Sequence, residues 1–227
     1  MDNIVSVFRA GTDTVEIAHS EILRYMQYRS GSIFSDIDEL IGDCLKEFNT
    51  SVEYKACYSK YPIDISGDAC IDFGFMQVQS RFLARNLKDC HEVYAFAATT
   101  GIRLERLLGK YMRISPGRAF IFDAIGSAAI EAFCDYLNAF LREEAAARGQ
   151  FLRPRFSPGY GDFPLEHQPA LLRALDTSRK INLVLTDSFL MVPTKSVTAV
   201  IGISDTQGKC STHSCDTCRQ RDCMYRI

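Results

Sequence analysis

The chain has 227 residues, 47% apolar and 24% charged, and its 26 Lys and Arg against 28 Asp and Glu leave a formal charge of −2. Seven Pro and 14 Gly exclude a collagenous or low-complexity chain, and the apolar share excludes a mostly disordered one. A near-neutral balance with no basic block argues against nucleic acid or an acidic membrane surface as the main partner. Residues 1–9 place no basic region ahead of a short apolar run, so no signal peptide is expected. The longest apolar stretch, residues 119–141, is interrupted by Asp123, Glu131 and Asp135, which argues against a membrane span and for a cytoplasmic protein.

In chain order, residues 14–28 read as a helix broken by Arg29-Ser30-Gly31-Ser32. Residues 35–48 read as a cleaner one, with Ile37, Leu40, Ile41, Cys44, Leu45 and Phe48 on one face and Ser35 as N-cap. From Val52 the period changes to two, which predicts a strand, and residues 63–75 supply one or two short strands among Pro62, Gly67 and Gly74. A short helix over 80–88, a buried strand over 93–98 and a helix over 103–112 follow. Ser115-Pro116 opens a helix of about 30 residues, about 45 Å long, with Gly126-Ser127 as a candidate bend. After a loop at 153–163 come a helix within 164–175 and two strands, 181–186 and 196–203, expected to pair antiparallel. The fold class is α+β: a mixed, largely antiparallel sheet with several helices, one of them long, and a Cys-rich C-terminal tail.

Two features stand out chemically. In Arg153-Pro154-Arg155-Phe156-Ser157-Pro158-Gly159-Tyr160, Pro158-Gly159 suits the centre of a type II turn. Gly159 lets a flat ligand approach the backbone, Arg155 offers a fork for a carboxylate, and Tyr160 offers a ring and a hydroxyl. The same stretch also suits a surface connection with solvated arginines, and residue types alone favour that plainer account. Glu131 sits among small apolar neighbours on the long helix, either to receive a cationic ligand or on a narrow solvated stripe with Asp135 one turn later.

Three ordered motifs, residues 155–160, Ile130-Glu131-Ala132-Phe133, and residues 185–193 followed by Ser196-Val197, together resemble the activation (reactivation) domain of cobalamin-dependent methionine synthase. The resemblance is clearest over 97–205 and implies a domain over 1–205 followed by a tail over 206–227. It implies S-adenosylmethionine bound by Arg155, Ser157 through its backbone, Gly159, Tyr160 and Glu131. No catalytic protein nucleophile is implied, since the role is reductive methylation of cob(II)alamin to methylcobalamin by positioning and electrostatics. The family has an N-terminal aspartate where this chain's nearest segment, Tyr25-Met26-Gln27-Tyr28, has Gln27. The implied partners are a separate cobalamin-binding methyltransferase subunit and an electron donor such as a flavodoxin or ferredoxin. A non-catalytic module that binds S-adenosylmethionine or a corrinoid protein is the alternative.

Cys210-x4-Cys215-x2-Cys218-x4-Cys223 offers four thiols, enough for zinc or an iron-sulfur cluster, with His213 inside the motif. A thiol tail without metal, or a small metal or redox adaptor centred on the tail, fits the same residues. Cys44, Cys57, Cys70, Cys90 and Cys134 are scattered and expected to be small buried hydrophobes.

Overall fold

A computed structural model describes residues 4–28 and 35–207. The four tail cysteines, Cys210, Cys215, Cys218 and Cys223, lie outside the described residues, as does His213.

The frame is a five-stranded antiparallel sheet in the order β1 (Ser6–Ala10), β2 (Tyr54–Pro62), β6 (Glu92–Thr99), β10 (Ser196–Ser204), β7 (Phe151–Leu152). The three central strands, β2, β6 and β10, divide their side chains between two cores. Tyr94, Phe96 and Ala98 of β6 face one core with Ala199, Ile201 and Ile203 of β10, whereas Val93, Ala95 and Ala97 face the other with Val200. Burial on both faces explains why the β6 segment reads as a continuous apolar run without alternation.

Helices cover the first face: α1 (His19–Tyr25), α2 (Ser35–Ser51), α4 (Ile102–Ile114) and the 31-residue α5 (Pro116–Ala146). Against the second face lie a small sheet of β3 (Asp64–Ser66), β4 (Cys70–Asp72) and β5 (Gln77–Gln79), and the helices α3 (Arg81–Asn86), α6 (Gln168–Ala174) and α7 (Thr177–Ile181). Ser80 caps α3 by accepting a 3.0 Å bond from the Leu83 N–H, and Pro116 opens α5 where its missing N–H costs nothing. Cys44, Cys57, Cys90 and Cys134 are buried and unbridged, and Cys70 is half-buried.

The α+β class, the antiparallel sheet and the long helix stand as the sequence indicates, but two local expectations change. The helix expected over 14–28 is confined to His19–Tyr25, because residues 11–14 form a turn closed by Thr14 N–H on the Gly11 carbonyl and Ala18 supplies no side-chain cap. Residues 181–186 do not pair with 196–203. Ile181 ends α7, and only β8 (Val184–Leu185) is extended, pairing with β9 (Met191–Val192) in a two-stranded ribbon. β10 instead takes β6 and β7 as neighbours, which satisfies both its edges inside the large sheet. Gly126, the candidate bend, lies inside the uninterrupted helix α5. It is a point of close approach, where an added Cβ would lie 2.9 Å from Leu104 Cδ2 and 3.1 Å from Lys195 Cγ.

Gly202 in β10 is packed harder still: a Cβ there would meet Cys90 Sγ at 2.7 Å, Leu87 Cδ2 at 2.8 Å and Arg153 Cγ at 3.0 Å. Arg153 cannot easily retreat, because its buried guanidinium donates to the Lys88 carbonyl and to Ser204 Oγ, both at 3.2 Å. Gly202→Ala should therefore lower stability by about 1–3 kcal/mol. Urea titration checks it, and a midpoint equal to that of the parent chain would contradict the packing argument.

Candidate functional site

The site begins with a stripe on α5. Asp123, Ser127, Glu131 and Asp135 recur every four residues, so they lie along one side of the helix. Two cations from other elements meet them. Lys195, just ahead of β10, places Nζ 2.8 Å from Asp123 Oδ1 and donates to Ser127 Oγ at 2.8 Å. Arg155, in the loop after β7, donates through Nη2 to Glu131 Oε2 at 2.5 Å, with Nη1 3.3 Å from Asp135 Oδ1. The stripe is partly exposed but not free: a lysine and an arginine bridge it to the sheet edge.

The Asp135 contact lacks hydrogen-bond geometry, so Arg155 Nη1, although buried, has no hydrogen-bond acceptor among the described residues. Burial of Arg155 would lower its pKa, but the Cys134 thiol, Glu131 and Asp135 outweigh it and hold the guanidinium above its ordinary value. Beneath the pair, burial pushes the Cys134 thiol up to about 12, which makes it an inert packing group.

The loop over 153–163 holds Arg155 in place through the sheet. Phe156 and Val200 exchange two backbone bonds at 2.9 Å, and Arg153 N–H reaches the Gly202 carbonyl at 2.8 Å. Beyond them, Ser157 to Tyr160 forms the expected turn, with Tyr160 N–H on the Ser157 carbonyl at 3.2 Å and Gly159 at φ +90°. Gly159 donates its N–H to the Phe163 carbonyl at 2.8 Å, which shapes the turn from inside. Asp162 fastens the far end: its carboxylate accepts from Ser80 Oγ and from the N–H groups of Arg81, at 2.8 Å, and Phe82.

Between α5, this loop and residues 189–198 lies a cavity of about 700 Å³. Glu131, Arg155, Ser157 and Tyr160 line it together, whereas Gly159 is not part of its wall. Ser127, Lys195 and Thr198 add polar groups, while Ile130, Pro158, Leu165, Leu190 and Met191 make much of the remainder apolar. Tyr160 and Leu190, 68% and 63% exposed, are wall residues that also face solvent, so they mark the mouth. Tyr25 of α1 closes one side, and burial, with Glu131 nearby, raises its phenol pKa.

Sequence reasoning did not single out Lys195, Ser127, Gln168 or Asp162. The four-residue recurrence of 123, 127, 131 and 135 is the one signal that marks a polar stripe; nothing local identifies Lys195, which meets it alongside Arg155. Among the described residues, no group of three or more His, Cys, Asp or Glu side chains is placed to hold a metal, and no helix is long and apolar enough to cross a membrane.

A cavity of this size with a charge pair in its wall, set beside an antiparallel sheet, makes this an α+β domain with a candidate small-molecule site. Residues 78–209, more than half of the chain, match the family model described as "Vitamin B12 dependent methionine synthase, activation domain", and the chain belongs to that family. Among solved structures, the chain is similar to one described as "Crystal Structure of the MetH Reactivation Domain bound to AdoHcy". The two are 16% identical, with a TM-score of 0.66 over 92% of this chain and 81% of that one, a likeness of fold. No curated protein matches significantly.

Asp162 also sets a pH dependence. Burial works to raise its pKa, but the bonds from Ser80, Arg81 and Phe82 overcome this and hold the carboxyl below its ordinary value. A depressed folded-state pKa contributes stability that is present above the unfolded value, about 4, and lost as pH falls through the folded value. Asp162→Asn should remove that acid-sensitive component, so urea midpoints measured between about pH 2 and 5 should vary less with pH than in the parent chain. Identical pH profiles would show that the carboxylate does not fasten the loop.

Proposed function

We propose that the chain binds S-adenosylmethionine in this cavity and supports reductive methylation of a cobalamin carried by a partner protein, in this reading a separate polypeptide. The observation that carries the proposal is Arg155, in the wall of a cavity with apolar sides: its guanidinium is bonded through Nη2 to Glu131, and its buried Nη1, ion-paired to Asp135, makes no hydrogen bond among the described residues. An amino-acid end supplies both complements at once, a carboxylate for Arg155 and an ammonium for Glu131 or Asp135. The sulfonium gains from the same carboxylates, and a flat nucleoside suits Pro158, Tyr160 and Leu165. Family membership supports this reading, and so does the S-adenosylhomocysteine bound to the related reactivation domain.

The corrinoid on the partner, once reduced by one electron from a flavodoxin- or ferredoxin-like donor, supplies the nucleophile that takes the methyl group and leaves S-adenosylhomocysteine. The residues of this chain bind, orient and set the field; none is called on as a nucleophile. Ser157 contributes through its backbone, and Gly159 through the turn that presents Ser157 and Tyr160.

Mixing the protein with its partner in the cob(II) state, a reductant and S-adenosylmethionine should yield the visible spectrum of methylcobalamin, and binding without that spectrum would leave only a sensing or capping module. By calorimetry, Arg155→Ala should weaken S-adenosylmethionine binding by about 1.5–3 kcal/mol, roughly 10- to 150-fold, with the fold retained. An unchanged affinity would remove Arg155 from the site.

A further inference from the structure

Gln168 is the first residue of α6, only 3% exposed, and its Oε1 is buried with no hydrogen-bond donor among the described residues. It belongs to the wall of the same cavity as Arg155, Glu131 and Tyr160. A buried carbonyl-type acceptor without a donor destabilises the fold that contains it, so a polar side chain held in this state needs an explanation outside the free chain's own bonding. Helix periodicity turns it inward, on the face that Leu171 and Leu172, three and four residues on, bury in the core, but an apolar side chain would serve that packing and need no donor.

Two residues of the cavity wall therefore each hold a buried polar atom that makes no hydrogen bond among the described residues, and the two are of opposite kind: Arg155 Nη1, 3.3 Å from Asp135 Oδ1, is a donor and Gln168 Oε1 is an acceptor. The first suits an anion. The second is neutral and fixed, which suits a neutral N–H or O–H group better than a cation, for which Glu131 and Asp135 are the stronger acceptors.

We propose that Gln168 is a specificity-determining residue that reads the nucleoside half of the ligand, its Oε1 accepting a hydrogen bond from the exocyclic amine of the base or from a ribose hydroxyl. This rests on the S-adenosylmethionine reading of the cavity. A site with a buried acceptor discriminates strongly against an analogue lacking the matching donor, because the acceptor is then left unpaired in the complex.

The test is titration calorimetry of the full chain with S-adenosylhomocysteine, together with thermal melting of the ligand-free protein. Gln168→Met keeps the length and removes the acceptor, and Gln168→Glu keeps an acceptor. Gln168→Met should lose about tenfold or more in affinity and melt at or above the parent temperature, since an unpaired polar group has been removed from the free protein. Gln168→Glu should bind within a few-fold of the parent. S-inosylhomocysteine, which lacks the amine, and the 2′- and 3′-deoxy analogues then locate the donor: for one of them the Gln168→Met loss should vanish. Gln168→Met binding like the parent chain, or losing the same factor with every analogue, would overturn the assignment. A parent chain that fails to bind S-adenosylhomocysteine at all would instead overturn the function proposed for the cavity.

Discussion

The bridge from Arg155 to Glu131 and Asp135 is the constraint around which the site is arranged, because it joins the longest helix to the edge of the sheet. Its elements come from parts of the chain that share little else locally: α5 lies wholly before the loop that carries Arg155, and β10, which holds that loop through Val200, comes after it. A guanidinium removed from much of the solvent is tolerable here only because carboxylates face it. Lys195 repeats the arrangement two turns earlier on the same stripe, and the Leu104 side chain reaches α5 at Gly126 beside it. The cavity occupies the space that these two bridges hold open.

An ion pair in a binding wall imposes a rule on what can enter. A ligand bearing only a carboxylate would compete with Glu131 for Arg155 and leave that glutamate to find another partner. A ligand bearing only a cation would do the reverse to Arg155. In the proposed function a zwitterion would exchange with the pair without stranding either charge, which would favour an amino-acid end over a simple acid or amine by the cost of an unpaired, partly buried charge. Nη1, 3.3 Å from Asp135 and without a hydrogen bond among the described residues, would sharpen this, since a carboxylate could bond to it without first breaking the bond to Glu131. The loop contributes rigidity. Asp162 ties it to the start of α3, Phe156 ties it to β10, and Gly159 closes the turn on Phe163, so little conformational freedom remains to be lost on binding.

Much of this is legible in the sequence where the signal is local. The apolar spacing in 35–48, Pro116 after Ser115, and the Pro158-Gly159 turn each express a backbone requirement within a few residues, and each forms an element close to where the pattern puts it. The strand pairing of 181–186 is not legible. Its apolar residues satisfy a core whether as the end of α7 or as a strand, and the choice is made by β6 and β7 occupying both edges of β10. The site divides in the same way. Glu131, Arg155, Ser157 and Tyr160 belong to ordered motifs, and the structure brings them to one cavity. Lys195 and Asp162 act through partners 68 and 82 positions away, and Gln168 through a cavity wall, and no local pattern encodes that.

The arginines of the loop make the distinction concrete. Arg153 and Arg155 are two residues apart on an extended segment; residue types leave both as solvated groups, and only Arg155 is also offered to a ligand. An unbroken pleat would give them the same side of the chain. The pairing is broken, however: Leu152 lies opposite Ile203 and Phe156 opposite Val200, so the loop carries one residue more than β10 over the same span, and the bulge re-aims Arg155. Each arginine then finds a different acceptor. Arg153 reaches the Lys88 carbonyl and Ser204 Oγ and is buried as part of the scaffold behind β10. Arg155 meets the α5 stripe, where the acceptors are carboxylates and Nη1 faces Asp135 without a hydrogen bond. A residue's capacity to bind a ligand here follows from the hydrogen bonds the fold leaves unmade, and those become countable only once every neighbouring element is in place.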